Sequence, residues 1–290
     1  MSEKKPKVLL FDIGGVCVVE LLSDDLQLSI SLSKLPLRSN PLLRTHPLHP
    51  PGWINHSISA SSPTGTWQSL ETGRIPLDST FFTYFSLDLH SPTLWSTFYL
   101  TKALPSNPSL PASVPPLPKI DAEQLFWNMM SASRPFDPWM YPALLALKKS
   151  NQYILAALSN TVIFPESHPY AHPAPEEDIR RIFDVFVSSA HVGLRKPDPA
   201  IYALAMERLN EHAQEKGRGR VEAGDVFFFD DIGENLKGAR KAGMRTFKVN
   251  LGRTFEAVDE LERVTGLELA GGHPRVPVEV KAEAVGKAKL

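Results

Sequence analysis

The chain has 290 residues, with 31 basic and 32 acidic side chains that give a formal net charge of -1. A balance so close to zero offers no electrostatic reason to expect nucleic acid as a partner, and the single cysteine excludes an intrachain disulfide framework. No apolar run reaches the ~20 residues that cross a bilayer, and the start of the chain does not resemble a signal peptide. We therefore expect a cytoplasmic protein with no membrane partner.

Strands alternate with helices along most of the chain. Short apolar runs predict buried strands at 7–11, 153–158, 184–187, 226–229 and 246–249. Cap signals and helical periodicity predict helices at 121–133, 142–150, 175–183, 197–213, 235–242 and 254–265. This alternation predicts an α/β fold, a doubly wound parallel sheet covered on both faces. Ligands of such sheets bind at the carboxyl ends of the strands.

The region from 75 to 118 differs from the rest of the chain. It is rich in aromatic residues, and its only charged residues are Asp78, Asp88 and Lys102. The proline-rich stretch at 103–118 predicts an extended loop, because proline lacks the backbone donor that helices and sheets need. Two interpretations stay open: a small helical core of its own, or a lid or interface that keeps apolar surface.

Polar residues follow the predicted strands at the same edge of the sheet. A single one is ordinary, since such residues cap helices or form turns. Several carboxylates at one place, however, require a compensating cation, either a lysine or a hard divalent metal such as Mg²⁺. The residues concerned are Asp12, Gly14, Ser159, Asn160, Lys196, Asp230 and Asp231.

The segments FDIGGV, LSN, RKPDP and FFFDDIGENLKGARKAGM, in this order, resemble the four motifs of the haloacid dehalogenase superfamily. The resemblance covers about residues 7–269 and is closest to the phosphatase-like N-terminal domain of soluble epoxide hydrolases. It implies a Rossmann-like core at 1–20 and 135–270, with a small helical cap domain containing Pro-rich insertions at 21–134. The gap of 147 positions between Asp12 and Ser159 falls where this family inserts its cap. Residues 271–290 are expected to form a loosely ordered tail.

The resemblance also implies a Mg²⁺-dependent phosphomonoester hydrolase that acts on a small phosphorylated metabolite. Its site would consist of a nucleophile that forms an aspartyl-phosphate, three Mg²⁺ ligands, three phosphate ligands and two orienting residues. The nucleophile is Asp12; the metal ligands are Asp12, the Gly14 carbonyl and Asp231; the phosphate ligands are Ser159, Asn160 and Lys196; the orienting residues are Asp230 and Asn235. A homodimer is left open as the assembly.

One departure from the family pattern affects the chemistry. Most phosphatases of the superfamily have a second aspartate, a general acid, two residues after the nucleophile, where this chain has Gly14. A general acid contributes roughly 10²–10⁴-fold, so its loss should slow esters with poor leaving groups. Two alternatives remain: a 2-haloacid dehalogenase, which needs neither the acid nor Mg²⁺, and a catalytically impaired binding protein that kept the fold.

Overall fold

A parallel β-sheet forms the centre of the structure, a computed structural model that describes residues 4–19 and 50–277. Within this part the sheet has five strands in the order β3-β2-β1-β4-β5, and every neighbouring pair is parallel. The strands are β1 Val8–Phe11, β2 Ile154–Ser159, β3 Val185–Ser188, β4 Val226–Asp230 and β5 Arg245–Lys248. The prediction of an α/β, doubly wound parallel sheet is confirmed.

Helices occur between the strands and in a long insertion after β1. Those of the insertion are α1 Trp53–Ala60, α2 Thr66–Glu71, α3 Ser79–Leu89, α4 Pro92–Phe98 and α5 Ala122–Ala132. Those interleaved with the later strands are α6 Met140–Ser150, α7 Ser189–Val192, α8 Pro199–Glu215, α9 Gly233–Lys241 and α10 Phe255–Thr265. In the described part, no helix is long and apolar enough to cross a membrane.

Alternating residues of the central strands divide the core into two layers. Leu9 and Phe11 of β1 pack in one cluster, which also contains residues of α6 and α10. Val8 and Leu10 pack in the other, together with residues of α8 and α9. Successive strand residues point to opposite faces, so a strand buried on both faces must be apolar throughout, as VLLF is.

The described residues fall into two compact units. One comprises 4–19, 70–77 and 133–277 and contains the sheet; the other comprises 50–69 and 78–132 and is helical. Aromatic contacts hold the second unit together, among them the stacked rings of Phe81 and Phe85 and the edge-on pair Trp53 and Trp95. The cap boundary 21–134 stays a prediction, because residues 20–49 lie outside the described part of the chain.

Three local expectations need correction or refinement. The predicted helix at 175–183 is only a 3₁₀ turn, Ile179–Ile182, whose first residues are capped by the Asp178 side chain. The proline-rich stretch is a loop from 107 onward, but it begins with the helical turn Leu104–Ser106. Of the predicted tail, Pro274 accepts a hydrogen bond from the indole of Trp139, and residues 278–290 lie outside the described part.

Candidate active site

The sheet brings the predicted nucleophile and the carboxylate of β4 to one edge. The Asp12 N–H donates to the Phe229 carbonyl (2.9 Å), and the neighbouring Phe11 pairs in register with Phe229. Asp12 is thus the first residue after β1, and Asp230 is the last residue of the adjacent strand β4. The chain passes from β1 to β2 and β3 on one side and returns to β4 on the other, so the two residues flank the topological switch point, where doubly wound sheets bind ligands.

Lys196 lies between these two carboxylates. Its Nζ is 2.7 Å from Asp12 Oδ2 and 2.7 Å from Asp230 Oδ2. The exposed fractions of the three residues are 0% for Lys196 and Asp230 and 6% for Asp12. Burial lowers the pKa of the Lys196 ammonium, but the attraction of the two carboxylates outweighs it, and the pKa is raised above its ordinary value. The lysine is therefore a permanent cation in the site.

Asp230 is fixed in place by further donors. Its Oδ1 accepts the Ile232 N–H at 2.7 Å, and the Asn235 amide lies 3.1 Å from both carboxylate oxygens. Burial raises the pKa of this carboxyl to about 6, against the opposing effect of Lys196. Both oxygens of Asp230 are thus committed to protein donors, one of which is the Lys196 ammonium; the orienting role of Asp230 and Asn235 stays a prediction.

Asn160 acts on the backbone of the lysine. Its Oδ1 accepts the Lys196 N–H at 2.8 Å, and its Nδ2 donates to the Lys196 carbonyl at 3.1 Å. The family resemblance implied an amide directed at phosphate; in the structure both ends of the amide bind the backbone of Lys196. Nothing in the sequence signals this clamp, because the two residues are 36 positions apart.

A third carboxylate, Asp231, completes an acidic cluster beside the lysine. Oxygen atoms of Asp12, Asp230 and Asp231 all lie within 4.8 Å of one another, and Asp231 is half-buried. Three carboxyl groups and one ammonium group thus lie together at this edge of the sheet. A hard divalent cation that prefers carboxylate and carbonyl oxygen fits this donor set and this charge. The Gly14 carbonyl as a third ligand remains a prediction.

The loop after the nucleophile is a tight turn. The backbone N–H groups of Val16, Cys17 and Val18 all point to the Ile13 carbonyl, at 2.9–3.4 Å. Gly15 supplies the positive φ (66°) that this turn needs. Gly14 does not have a positive φ. Backbone geometry of this kind therefore does not explain why a glycine, and not an acidic residue, stands at this position.

Ser159 is buried at the end of β2, the strand that pairs with β1 on the side away from β4. Beyond it the structure shows two groups that sequence reasoning missed. Thr161, Ser188 and His191 form a continuous hydrogen-bonded series. Glu71 receives the Arg195 guanidinium at 2.8 Å across 124 positions of sequence, so no local pattern could have revealed the pair.

Comparisons with known proteins agree with the fold. A family profile for haloacid dehalogenase-like hydrolases matches residues 113–243. Bifunctional epoxide hydrolase 2 of Sus scrofa is 34% identical over 130 residues, which cover 45% of this chain and 21% of that protein. Phosphatase MT3486 of Mycobacterium tuberculosis is 30% identical over 139 residues, which cover 38% of this chain and 59% of that protein.

Solved structures show the same fold. The HAD-hydrolase YfnB of Bacillus subtilis, determined with bound magnesium, has a TM-score of 0.50 to this chain at 16% identity; the alignment covers 91% of this chain and 100% of that one. The chain spans about a fifth of the length of the pig epoxide hydrolase and somewhat over half that of the mycobacterial phosphatase.

Proposed function

We propose that the chain is a haloacid dehalogenase-like hydrolase that hydrolyses phosphomonoesters of small metabolites, with Mg²⁺, through a phosphorylated Asp12. The observation that carries this proposal is the buried Lys196, which bridges Asp12 and Asp230 at 2.7 Å each, with the carboxylate of Asp231 close to both acids. A site built in this way places the nucleophile beside a fixed positive charge, and its group of acidic side chains suits a divalent cation.

Asp12, the Gly14 carbonyl and Asp231 would hold Mg²⁺. When bound, the ion would reduce the repulsion between the anionic nucleophile and an anionic phosphate. Lys196 adds a fixed positive charge for the phosphoryl oxygens, and the Ser159 hydroxyl adds a hydrogen bond from the end of β2. Asn160 and Asp230 keep the lysine in place, one through its backbone and the other through its ammonium.

The reaction proceeds in two steps. In the first, an oxygen of Asp12 forms a bond to phosphorus while the bond from phosphorus to the ester oxygen breaks, and the alcohol leaves after gaining a proton. In the second, water attacks phosphorus, the bond to Asp12 breaks, and inorganic phosphate and a proton are released. Both steps depend on charge placement at the sheet edge, which Lys196 and the carboxylates provide.

Two alternatives fit the site less well. A dehalogenase would leave the paired carboxylates Asp230 and Asp231 without a function, since halide departure requires no metal. A binding protein that had lost catalysis would have no reason to keep Asp12 against a fully buried ammonium, which is costly to bury. The likeness to a mycobacterial protein named as a phosphatase also supports the hydrolase. The homodimer and the cytoplasmic location remain predictions.

Turnover of p-nitrophenyl phosphate tests the proposal. We expect activity with Mg²⁺, loss of activity after EDTA treatment and dialysis, and recovery when Mg²⁺ is restored. Asp12→Asn should be inactive, and Asp231→Asn should need more Mg²⁺ for the same rate. Asp259→Asn, in an exposed ion pair with Arg275, is the matched control and should behave like wild type. Full turnover in EDTA would disprove the metal site, and a fully active Asp12→Asn would disprove the nucleophile.

A further inference from the structure

The segment that carries Lys196 is held by contacts at both of its ends. This segment, residues 189–196, begins with the short helix α7 directly after β3 and ends at the lysine; we call it the lysine loop. The proposed mechanism needs the Lys196 ammonium at a fixed place. Because α7 has only four residues, its own helical structure is too short to fix the loop. The contacts that hold the loop must come from other parts of the chain.

Glu71, the last residue of α2, contacts the lysine loop near both ends. Its backbone carbonyl accepts the Ser189 hydroxyl at 2.6 Å, and its carboxylate oxygen Oε2 accepts the Arg195 Nε–H at 2.8 Å. Ser189 is the first residue of the loop, and Arg195 directly precedes Lys196. Residues 70–77 belong to the same compact unit as the sheet, so these contacts lie within one unit. One residue from outside the loop thus binds both of its ends.

The ion pair of Glu71 and Arg195 is largely shielded from water. The exposed fraction of the Glu71 side chain is 11%, and that of the Arg195 side chain is 22%. A guanidinium that loses its carboxylate in such a place is left as an uncompensated charge in a poor solvent, and it gains free energy by turning toward water. Since Arg195 is bonded directly to Lys196 along the chain, this movement would displace the lysine as well.

The backbone of Glu71 is also connected to Asn160, the residue that binds the Lys196 backbone. The residue after Asn160, Thr161, donates its N–H to Ser189 Oγ at 2.8 Å, and the Ser189 hydroxyl donates to the Glu71 carbonyl. This second route does not involve the Glu71 carboxylate. A substitution that removes only the charge of Glu71 therefore leaves the second route in place and breaks the first.

We propose that Glu71 is a positioning residue for the proposed reaction: its carboxylate holds Arg195 and thereby places the ammonium of Lys196. The ammonium then lies between the carboxylates of Asp12 and Asp230, as the site requires. The inference rests on the proposed function and deepens it. Glu71 is assigned no contact with substrate or metal, and no bond or proton changes at it. Its effect is geometric, because a displacement of ~1 Å in the reacting groups can cost about 10²-fold in rate.

Hydrolysis of p-nitrophenyl phosphate with Mg²⁺, together with calorimetric titration of inorganic phosphate, tests this role. In Glu71→Gln we expect kcat to fall by roughly 10-fold to 10²-fold and phosphate to bind more weakly, because both depend on the place of the Lys196 charge. The Mg²⁺ concentration that gives half of the maximal rate should stay at the wild-type value, because the proposed metal ligands follow β1 and β4 and do not lie on the lysine loop. Arg195→Gln breaks the same pair from the other side and should show the same pattern.

The variant that combines Glu71→Gln with Arg195→Gln should have the kcat of Arg195→Gln alone, because each substitution removes the same contact. Glu211→Gln, which removes the charge from an exposed pair with Arg208, is the matched control and should behave like wild type. Thermal melts show whether each variant is folded. Glu71→Gln has nearly the same shape as the native side chain and keeps the carbonyl that Ser189 binds, so it should fold.

Three results would each overturn the positioning role. The first is a wild-type kcat in Glu71→Gln and in Arg195→Gln. The second is a double variant whose loss of kcat is the product of the two single losses. The third is a Mg²⁺ requirement that rises together with the loss of kcat, which would indicate a general loosening of the site. A wild-type protein without activity on any phosphomonoester would instead refute the proposed function, and the positioning role with it.

Discussion

Lys196 is the residue on which both the geometry and the charge of the site depend. It is fully buried, and its ammonium is within 2.7 Å of two carboxylates. Removal of one partner from a buried ion pair typically costs 3–5 kcal/mol, because the remaining charge is left uncompensated in a poor solvent for it. Here the loss would leave Asp12 and Asp230 facing each other with no cation between them.

We therefore predict that Lys196→Met is inactive and lowers the free energy of unfolding at pH 7 by about 3 kcal/mol. The deficit should shrink as the pH falls, because a protonated carboxyl no longer repels its neighbour. Urea denaturation at pH 7 and pH 5 measures both effects. Lys237→Met, which removes an exposed partner of Glu234, is the control and should change stability little. Equal stability of Lys196→Met and wild type would contradict the prediction.

Gly14 gives a second test at the residue scale. Its backbone does not require positive φ, so Gly14→Asp should fold and place a carboxylic acid two residues after the nucleophile. We expect it to raise kcat for alkyl phosphates more than kcat for p-nitrophenyl phosphate, because a general acid helps a poor leaving group most. Steady-state kcat of wild type and Gly14→Asp on both esters measures the difference. An equal change on both esters would contradict the prediction.

The ionised carboxylate of Asp225 makes the stability of the fold depend on pH in the acid range. Burial works to raise the pKa of its carboxyl, but hydrogen bonds from Lys4 and from the Glu222 N–H outweigh this effect and lower the pKa to about 2. A carboxyl whose folded pKa is depressed stabilises the fold above its unfolded pKa of ~3.9, and this contribution disappears as the pH falls toward 2.

Asp225→Asn should thus be less stable than wild type at pH 7, by up to about 2 kcal/mol, and the difference should shrink as the pH falls from 4 toward 2. Urea midpoints at pH 7, 4 and 2.5 provide the measurement. Asp259→Asn, in an exposed pair, serves as the control. A constant difference at all three pH values would show that the carboxylate charge is not the cause.

At the scale of elements, the turn after α2 is packed against the start of α7. Gly73 has φ +65°, and a Cβ at this position would lie 2.4 Å from the Ala190 carbonyl oxygen. Gly217 has nearly the same φ, +63°, but a Cβ there would meet nothing within 4 Å. A comparison of alanine substitutions at these two positions therefore separates the cost of the left-handed backbone from the cost of the close contact with Ala190.

Gly217→Ala should cost about 1 kcal/mol, the penalty of a left-handed backbone for a residue with a Cβ. Gly73→Ala should cost clearly more, because the turn must also move away from Ala190. Thermal melts of the two single variants compare the costs directly. If both variants have the same melting temperature, the contact with Ala190 adds nothing to the cost of the substitution.

The strands were predictable because their signal is local. Apolar runs such as VLLF and VFFF locate β1 and β4 to within one residue at each end, since a strand buried on both faces has no polar position. The helix predicted at 175–183 failed for a nonlocal reason. The Asp184 N–H donates to the Leu155 carbonyl of β2 at 2.7 Å, so the chain is already bonded to the sheet at residue 184. Only the 3₁₀ turn Ile179–Ile182 forms ahead of that point.

At the scale of the whole molecule, parallel topology explains how much of the site could be predicted. Residues that follow strands of one parallel sheet converge at one edge, so the meeting of Asp12, Asp230 and Lys196 could be expected from the motifs. Side-chain direction could not: the Asn160 amide holds the Lys196 backbone, and the His191 imidazole reaches Ser188. Those contacts depend on loop geometry, which residue spacing does not encode.

Carbonyl groups of the proline-rich loop accept hydrogen bonds from two buried side chains of the second unit. The Trp95 indole N–H donates to the Pro115 carbonyl at 2.8 Å, and the Tyr99 hydroxyl donates to the Pro111 carbonyl at 2.7 Å. Both donors belong to buried side chains. A buried donor that loses its acceptor costs ≈ 1–3 kcal/mol, whereas shortening a loop by half changes the closure entropy by only ≈ 0.6 kcal/mol.

We therefore predict that a deletion of residues 108–117 lowers the free energy of unfolding by about 2–4 kcal/mol, through the loss of acceptors rather than of length. Tryptophan fluorescence follows this unit, since four of the five tryptophans lie in it: Trp53, Trp67, Trp95 and Trp127. Tyr99→Phe removes one donor, so it should cost about 1 kcal/mol in the full chain but little in the deletion variant, where the acceptor is already gone. Tyr84→Phe, at an exposed tyrosine, is the control. Additive costs of the deletion and of Tyr99→Phe would show that the loop stabilises the unit by some contact other than this hydrogen bond.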